Sequence, residues 1–321
     1  QKLEYWMGSA WMQIKTFSPN LDGGVRGFFM GGGDPAPTNR IDFITISTQG
    51  NAQDFGDLTQ TRMEGAALSN STRALVAGDS VPGSNDEIDV FTMSTTGNAS
   101  DFGNLLSATN NAQGFGALAN ATRGIFGGGY QAGGGQVNIL QFVTINSNGN
   151  AVDFGDLEGN SGQFSGTTGG SSPTRGLWFG GGPSGSANTK IQYITIASTG
   201  NGQDFGEMIK YDSAGTTGSN AVRIVYFNGG NQENTIEFVT TATTGNTTDF
   251  GDMTLGNRYG ATSNSSSTRA CVGGGGYPSR TDVIEYVQIM TQGDAVDFGD
   301  LVDDRYLLLK GCVSTGHGGL G

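Results

Sequence analysis

Cations are scarce in this chain. The 321 residues hold 16 lysines and arginines against 29 aspartates and glutamates, a formal net charge of −13. Nucleic acid and anionic membrane surfaces both present phosphate, so this balance disfavours either as a partner. Cysteine occurs twice, at Cys271 and Cys312, too few for a disulfide framework. No apolar run approaches the ~18 residues of a spanning helix, so no membrane insertion is expected. No signal peptide is visible. Gln1 in place of Met reads as a processed chain or a part of a longer one.

Glycine is abundant, with 57 residues, about two and a half times ordinary usage. It follows no collagen-like period, so it must serve turns. Strong helix formers are few, while Thr, Ile, Val and Phe recur in short runs. That is an all-β composition.

The triplet Asp-Phe-Gly, the magnesium-binding signature of protein kinases, begins at Asp54, Asp101, Asp153, Asp204, Asp249 and Asp297. A kinase has one copy, together with an HRD loop and a strand lysine that this chain lacks. Six copies at intervals of 45 to 52 residues are a structural repeat.

Each triplet follows a glycine four residues earlier (Gly50, Gly97, Gly149, Gly200, Gly245, Gly293), and that glycine ends a strand-like run such as IDFITI, IDVFTM or IQYITI. These runs carry a polar residue at the second position and apolar ones at the first, third and fourth, which predicts burial on both faces. The T-x-G-N junction reads as a tight turn. Each unit also has an arginine (Arg26, Arg73, Arg123, Arg175, Arg223, Arg269) that opens a strand running into glycines, preceded by a small-residue segment such as GAALSNST.

One unit is therefore four short strands, the arithmetic of a β-propeller blade. The expected fold is all-β, a six-bladed propeller, with seven blades as the alternative if residues 1–24 add one. The chain enters at a second strand and ends on an unpartnered first strand, DRYLLLKGCVSTG, which predicts that the C-terminal strand closes the ring. Phe of the triplet would fill the gap between blades and Gly would permit close approach. Asp would accept hydrogen bonds from a turn or pair with the repeated arginine. Cys271 aligns with Leu75, Ile125 and Leu177 and reads as a buried apolar residue; a Cys271–Cys312 bridge is the alternative.

The copies diverge between the second and third strands, in loops such as GDSVPGSNDE and GGGGYPSRTD. A rigid scaffold with one variable loop face is a common layout for binding. The candidate ligand-binding residues are Asp34, Asn39, Arg40, Asp79, Asn85, Tyr130, Gln131, Asn188, Lys190, Asn231, Gln232, Tyr277 and Arg280. Residues 1–24 do not match the repeat and read as a hairpin or docking segment, with Trp6 and Trp11 as candidate docking residues, ahead of a propeller over 25–321.

The pattern I-x-[FY]-[IV]-T-I-x-[ST]-x-G-N-x-x-D-F-G, followed by S-T-R and a glycine run, resembles the kelch-like propeller repeats of tailed-bacteriophage structural proteins, especially those of marine and cyanobacterial viruses. It covers residues 25–316 and is broken in places, as at Asn104. The resemblance implies a virion component, a tail-fibre, neck or capsid appendage assembled in the host cytoplasm. Its partners would be other virion proteins and a host-surface glycan or envelope protein, within a homo-oligomeric or larger assembly. A purely structural docking module and a secreted cellular adhesin are the alternatives.

Enzyme readings lack their residues. A copper oxidase of the galactose-oxidase kind needs two histidines, and this chain has only His317. The S-x-D-x-G-x-x-W boxes of sialidases are absent. A glycosidase needs two carboxylates about 5–10 Å apart, and nothing singles out a pair among Asp34, Asp79, Asp86 and Glu233. No calcium loop of the D-x-[DN]-x-[DN]-G type appears. The expectation is a non-enzymatic protein without cofactor or metal.

Overall fold

The structure, a computed structural model, describes residues 3–6, 11–14, 24–33, 36–80, 86–106, 114–131, 135–159, 166–182, 189–210, 214–230, 233–276 and 279–316. They form a six-bladed β-propeller of four-stranded antiparallel blades. Blade 2 shows the plan: inner strand Ala66–Ser69, second strand Arg73–Ala77, third strand Glu87–Thr92 and outer strand Ser100–Asn104, paired in that order. The inner strands of blades 3 to 6 are Gly116–Ala119, Thr168–Ser171, Thr216–Ser219 and Thr262–Ser265.

Blade 1 is assembled from both ends of the sequence. Arg26–Met30, Thr38–Thr45 and Gln53–Arg62 supply three strands. The fourth place is taken by the C-terminal segment: Phe28 N donates to Val313 O (3.1 Å), Thr315 N to Arg26 O (2.9 Å) and Leu309 N to Met30 O (3.2 Å). The expected closure is present, and the blades number six, not seven. Leu3–Trp6 and Trp11–Ile14 form a separate two-stranded hairpin with Trp6 opposite Trp11.

The Asp-Phe-Gly triplet is a β-bulge. Ile88 pairs with Gly103 and Asp89 with Asp101, which leaves Phe102 as the extra residue, and the same slip recurs in all six blades. The six phenylalanines are at most 3 % exposed. The six glycines hold φ between +146° and +152°. A Cβ on any of them would lie 2.3–2.6 Å from the carbonyl oxygen of Gly97, Gly149, Gly200, Gly245, Gly293 or Gly50 in the next blade, so only glycine fits.

That close approach lets the T-x-G-N turn dock on its neighbour. Gly200 N donates to Phe154 O (2.8 Å), Gly202 N to Asp156 O (2.8 Å), and Asp156 N to Asn201 Oδ1 (3.1 Å). The closing joint repeats the set, with Gly50 N on Phe298 O (2.9 Å) and Asp300 N on Asn51 Oδ1 (3.2 Å).

The small-residue segments form the inner strands and crowd the axis. In four blades the serine at the end of the inner strand donates its hydroxyl to the equivalent carbonyl of the preceding blade: Ser171 to Ala119 O (2.8 Å), Ser265 to Ser219 O (2.7 Å), Ser314 to Ser265 O (2.6 Å) and Ser69 to Ser314 O (3.3 Å). A space between inner strands, lined by residues such as Ala67, Ala117, Gly169, Ser219 and Cys312, is about 10 Å3, the room of a single water. Cys271 and Cys312 are free thiols, so the bridge does not form. Cys271 is buried as expected, and burial pushes its thiol well above the ordinary range.

Candidate functional site

The strand directions put two sets of connections on opposite ends of the disc. The turns after the inner and third strands share one end, the turn face. The loops between second and third strands share the other with the blade-to-blade linkers, the loop face.

The repeated arginines belong to the turn face, and each reaches into the next blade. Arg26 Nη1 donates to Ser94 O (3.1 Å), Arg73 to Ile145 O (2.7 Å), Arg123 to Ile196 O (3.2 Å), Arg175 to Thr241 O (3.1 Å), Arg223 to Ile289 O (2.9 Å) and Arg269 to Ile46 O (3.1 Å). Each guanidinium also lies over an aromatic ring of its own blade, as Arg223 does over Phe238 at 4.0 Å. Of the two roles expected for the triplet Asp, the pair with the repeated arginine is not made. The six triplet aspartates are exposed, and no ion pair joins them to these arginines. Each arginine instead directs Nη1 at a backbone carbonyl of the next blade, and the bulge leaves the aspartate on the outer strand facing solvent. Charges there oppose edge-to-edge pairing of exposed strands.

Beneath the loop face, the polar residue at the second position of each third strand is buried: Asp42, Asp89, Gln141, Gln192, Glu237 and Glu285. Each sits where the preceding linker arrives. Thr59 N donates to Asp89 (3.0 Å), Leu106 N to Gln141 (2.7 Å), Glu158 N to Gln192 (2.7 Å), Ile209 N to Glu237 (2.9 Å) and Thr254 N to Glu285 (2.8 Å). Three linkers also bring a buried arginine to an acid. Arg62 meets Asp89 at 2.9 Å, Arg258 meets Glu285 at 2.7 Å, and Arg305 meets Asp42. The linkers before Gln141 and Gln192 bring no arginine there, and an amide stands in place of the acid. Glu237 is held by the amides of Ile209 and Lys210 and by Thr247 Oγ1 (2.5 Å). Sequence reasoning missed Arg62, Arg258 and Arg305. A partial signal was there, because in five of the six blades acid or amide on the strand goes with presence or absence of arginine in the linker, Glu237 being the exception.

At the axis mouth on this face, Lys310 Nζ donates to Gly166 O (2.8 Å). Glu64 holds φ +56° beside it. Burial raises the Glu64 carboxyl above its ordinary value, an effect that Lys310 opposes.

The candidate residues separate into three groups. Asp34, Asn85, Asn188, Asn231, Gln232 and Tyr277 lie outside the described residues, as do the side chains of Tyr130, Gln131, Trp6 and Trp11. Asn39, Arg40, Lys190 and Arg280 sit on the loop face, half-buried or exposed. Two of these are already engaged across blades: Arg40 with Asp303 at 2.6 Å, and Arg280 over the Tyr306 ring at 5.7 Å. Asp79 needs correction as a surface residue. It is 2 % exposed and accepts the amide of Met63 at 3.0 Å, so it caps a linker. Its neighbours in sequence are loop residues, and the glycine before it turns the side chain inward.

Among the described residues no three His, Cys, Asp or Glu side chains gather as a metal site would require. Comparison with protein-family models and with curated proteins returns no match.

Proposed function

We propose that this chain is a non-enzymatic virion protein of a tailed phage, a fibre or appendage module that presents its loop face to a host-surface glycan or envelope protein. The observation that carries the reading is where the repeated chemistry goes. The Phe and Gly of the triplet, the arginines and the buried acids are all absorbed in joints within and between blades, and small residues crowd the axis. The largest differences between blades are in the two-to-three loops, and such variation at one end of a rigid scaffold supports a recognition surface there. The virion setting rests on the resemblance of the repeat.

The test is saturable binding of labelled chain to bacterial cells and to their extracted surface polysaccharide. The control is a variant with residues 81–85, 132–134, 183–188 and 277–278 replaced by Gly-Ser, which spares Asp79 and Arg40. Binding lost in the variant, with its melting transition kept, supports recognition. No binding to any surface, with retention on purified phage particles lacking the chain, supports a docking module contacting only virion proteins.

A further inference from the structure

One blade breaks the arginine stack. In five blades the third strand offers a ring to the guanidinium: Phe43 under Arg26 at 5.0 Å, Phe142 under Arg123 at 4.6 Å, Tyr193 under Arg175 at 4.6 Å, Phe238 under Arg223 at 4.0 Å and Tyr286 under Arg269 at 4.6 Å. Blade 2 has Val90 at that register position, opposite Leu75 and Ser100. Its aromatic residue is the next one, Phe91, which points to the other side and packs on Phe28 and Phe55 of blade 1, each at 5.4 Å. Arg73 lies instead over the bulge ring, Phe102, at 5.4 Å.

Where the missing ring would lie there is a cleft of about 200 Å3, lined by Arg73, Val90, Thr92, Thr96, Asn98 and Ser100. A closed apolar cavity of about 150 Å3 holds benzene, so by volume this open cleft has room for one six-membered ring. The other blades specify its chemistry, since the same backbone and the same arginine hold a Phe or Tyr ring there. Blade 4 adds a polar end. Tyr193 Oη donates to Gln203 Oε1 at 2.6 Å, and the position of Gln203 is held in blade 2 by Ser100.

We propose that this cleft receives the tyrosine side chain of a partner polypeptide, whose ring completes the arginine stack of blade 2. Its hydroxyl reaches Ser100. The rim residues Thr95, Thr96, Asn98 and Ser100 are exposed, so a free single-ring molecule would be only partly covered. A ring carried on a docked chain gains from its tether. The cleft is on the turn face, at the opposite end from the loops, so the proposal is independent of the reading above.

The experiment titrates isotope-labelled protein with 4-methylphenol, N-acetyl-tyrosinamide, N-acetyl-cyclohexylalaninamide and a Tyr-centred pentapeptide, following the Val90 methyl and Arg73 Nε–H resonances. Expected are saturable shifts confined to blade 2, about two- to five-fold weaker binding of the saturated ring, and tighter binding of the pentapeptide than of 4-methylphenol. Val90→Tyr and Val90→Phe should abolish the shifts while keeping the melting temperature, because each supplies the ring internally. Non-saturating shifts, shifts that survive Val90→Tyr in a folded variant, or equal binding of the saturated ring would overturn the ring site. A pentapeptide no tighter than 4-methylphenol would overturn the polypeptide as its source. If Val90→Tyr unfolds the blade, the cleft does not have the shape of the ring place in its neighbours, and the proposal fails.

Discussion

Arg305 and Asp42, 263 positions apart in sequence, form an ion pair buried in the joint between the last blade and the first. Asp303 binds the same cluster from its edge, with Oδ1 2.9 Å from Arg305 Nε and Oδ2 2.6 Å from Arg40 Nη1. The strand that closes the ring is thus fastened by charge as well as by backbone hydrogen bonds.

Burial pushes the Asp42 carboxyl up to about 6, against the opposing pull of Arg305. The folded chain then holds this proton more tightly than the unfolded chain. The associated stability is fully present below the unfolded value near 3.8 and is lost as pH rises through about 6. Asp42→Asn cannot titrate. Between pH 5 and 7.5 the stability difference between variant and wild type should move about 1 kcal/mol in the variant's favour. Urea unfolding at both pH values measures it, and an unchanged difference would show that Asp42 titrates normally.

Dissecting one triplet separates its three roles. Asp153→Ala removes an exposed side chain and should change stability by no more than about 0.5 kcal/mol. Phe154→Ala empties a buried joint and should cost about 3–5 kcal/mol. Gly155→Ala forces a Cβ to within 2.5 Å of Gly200 O at φ +146° and should cost at least about 2 kcal/mol. Gly200→Ala is the control. Nothing lies within 4 Å of its Cβ position, so only backbone strain at φ +158° remains. Equal effects at Gly155 and Gly200 would refute the close-approach account.

The charge matching under the loop face predicts a partial rescue. Arg62→Met leaves Asp89 charged and buried, which should cost about 3–5 kcal/mol. Adding Asp89→Asn reproduces the amide arrangement of Gln141 and Gln192 and still accepts the Thr59 amide, so at least half the loss should return. Thermal and urea denaturation of the pair against wild type decides this. A double variant as unstable as the single one would mean that packing of Arg62, not its charge, matters there.

Ending the chain after Asp304 removes Arg305 and the strand that completes blade 1. The second strand Arg26–Met30, buried along most of its length, then becomes an open edge. The expected loss is comparable with the whole stability of a domain, about 5–15 kcal/mol, seen as absence of a cooperative melt and as association on a sizing column. A truncated chain that stays monomeric and melts cooperatively would show that closure is dispensable.

Blade number, strand order, closure and the role of Phe and Gly in the triplet were legible in the sequence because each is a repeated demand of the same joint. Six copies of one pattern make a weak local signal strong. What stayed hidden depended on geometry between blades. An arginine at the head of a strand cannot be told from a partner for the nearest acid until the next blade's carbonyls are in place. Asp79 looked like its loop neighbours, since nothing local marks a side chain that turns inward to meet Met63. The linker arginines were concealed because they do not recur in every unit. The exchange of Phe-Ile for Val90-Phe91 reads as ordinary apolar drift until the alternation of faces is known.

The closing strand has a mechanical consequence. Arg26 and Thr315 face each other at one end of their antiparallel pairing, and Leu309 and Met30 at the other. Tension applied between residues 24 and 316 would load the Thr315–Arg26 bond first, then Phe28–Val313, then Leu309–Met30, one after another rather than together. Pulled this way the ring opens by peeling, one hydrogen bond at a time, whereas load along the strands of this joint would strain its three bonds together.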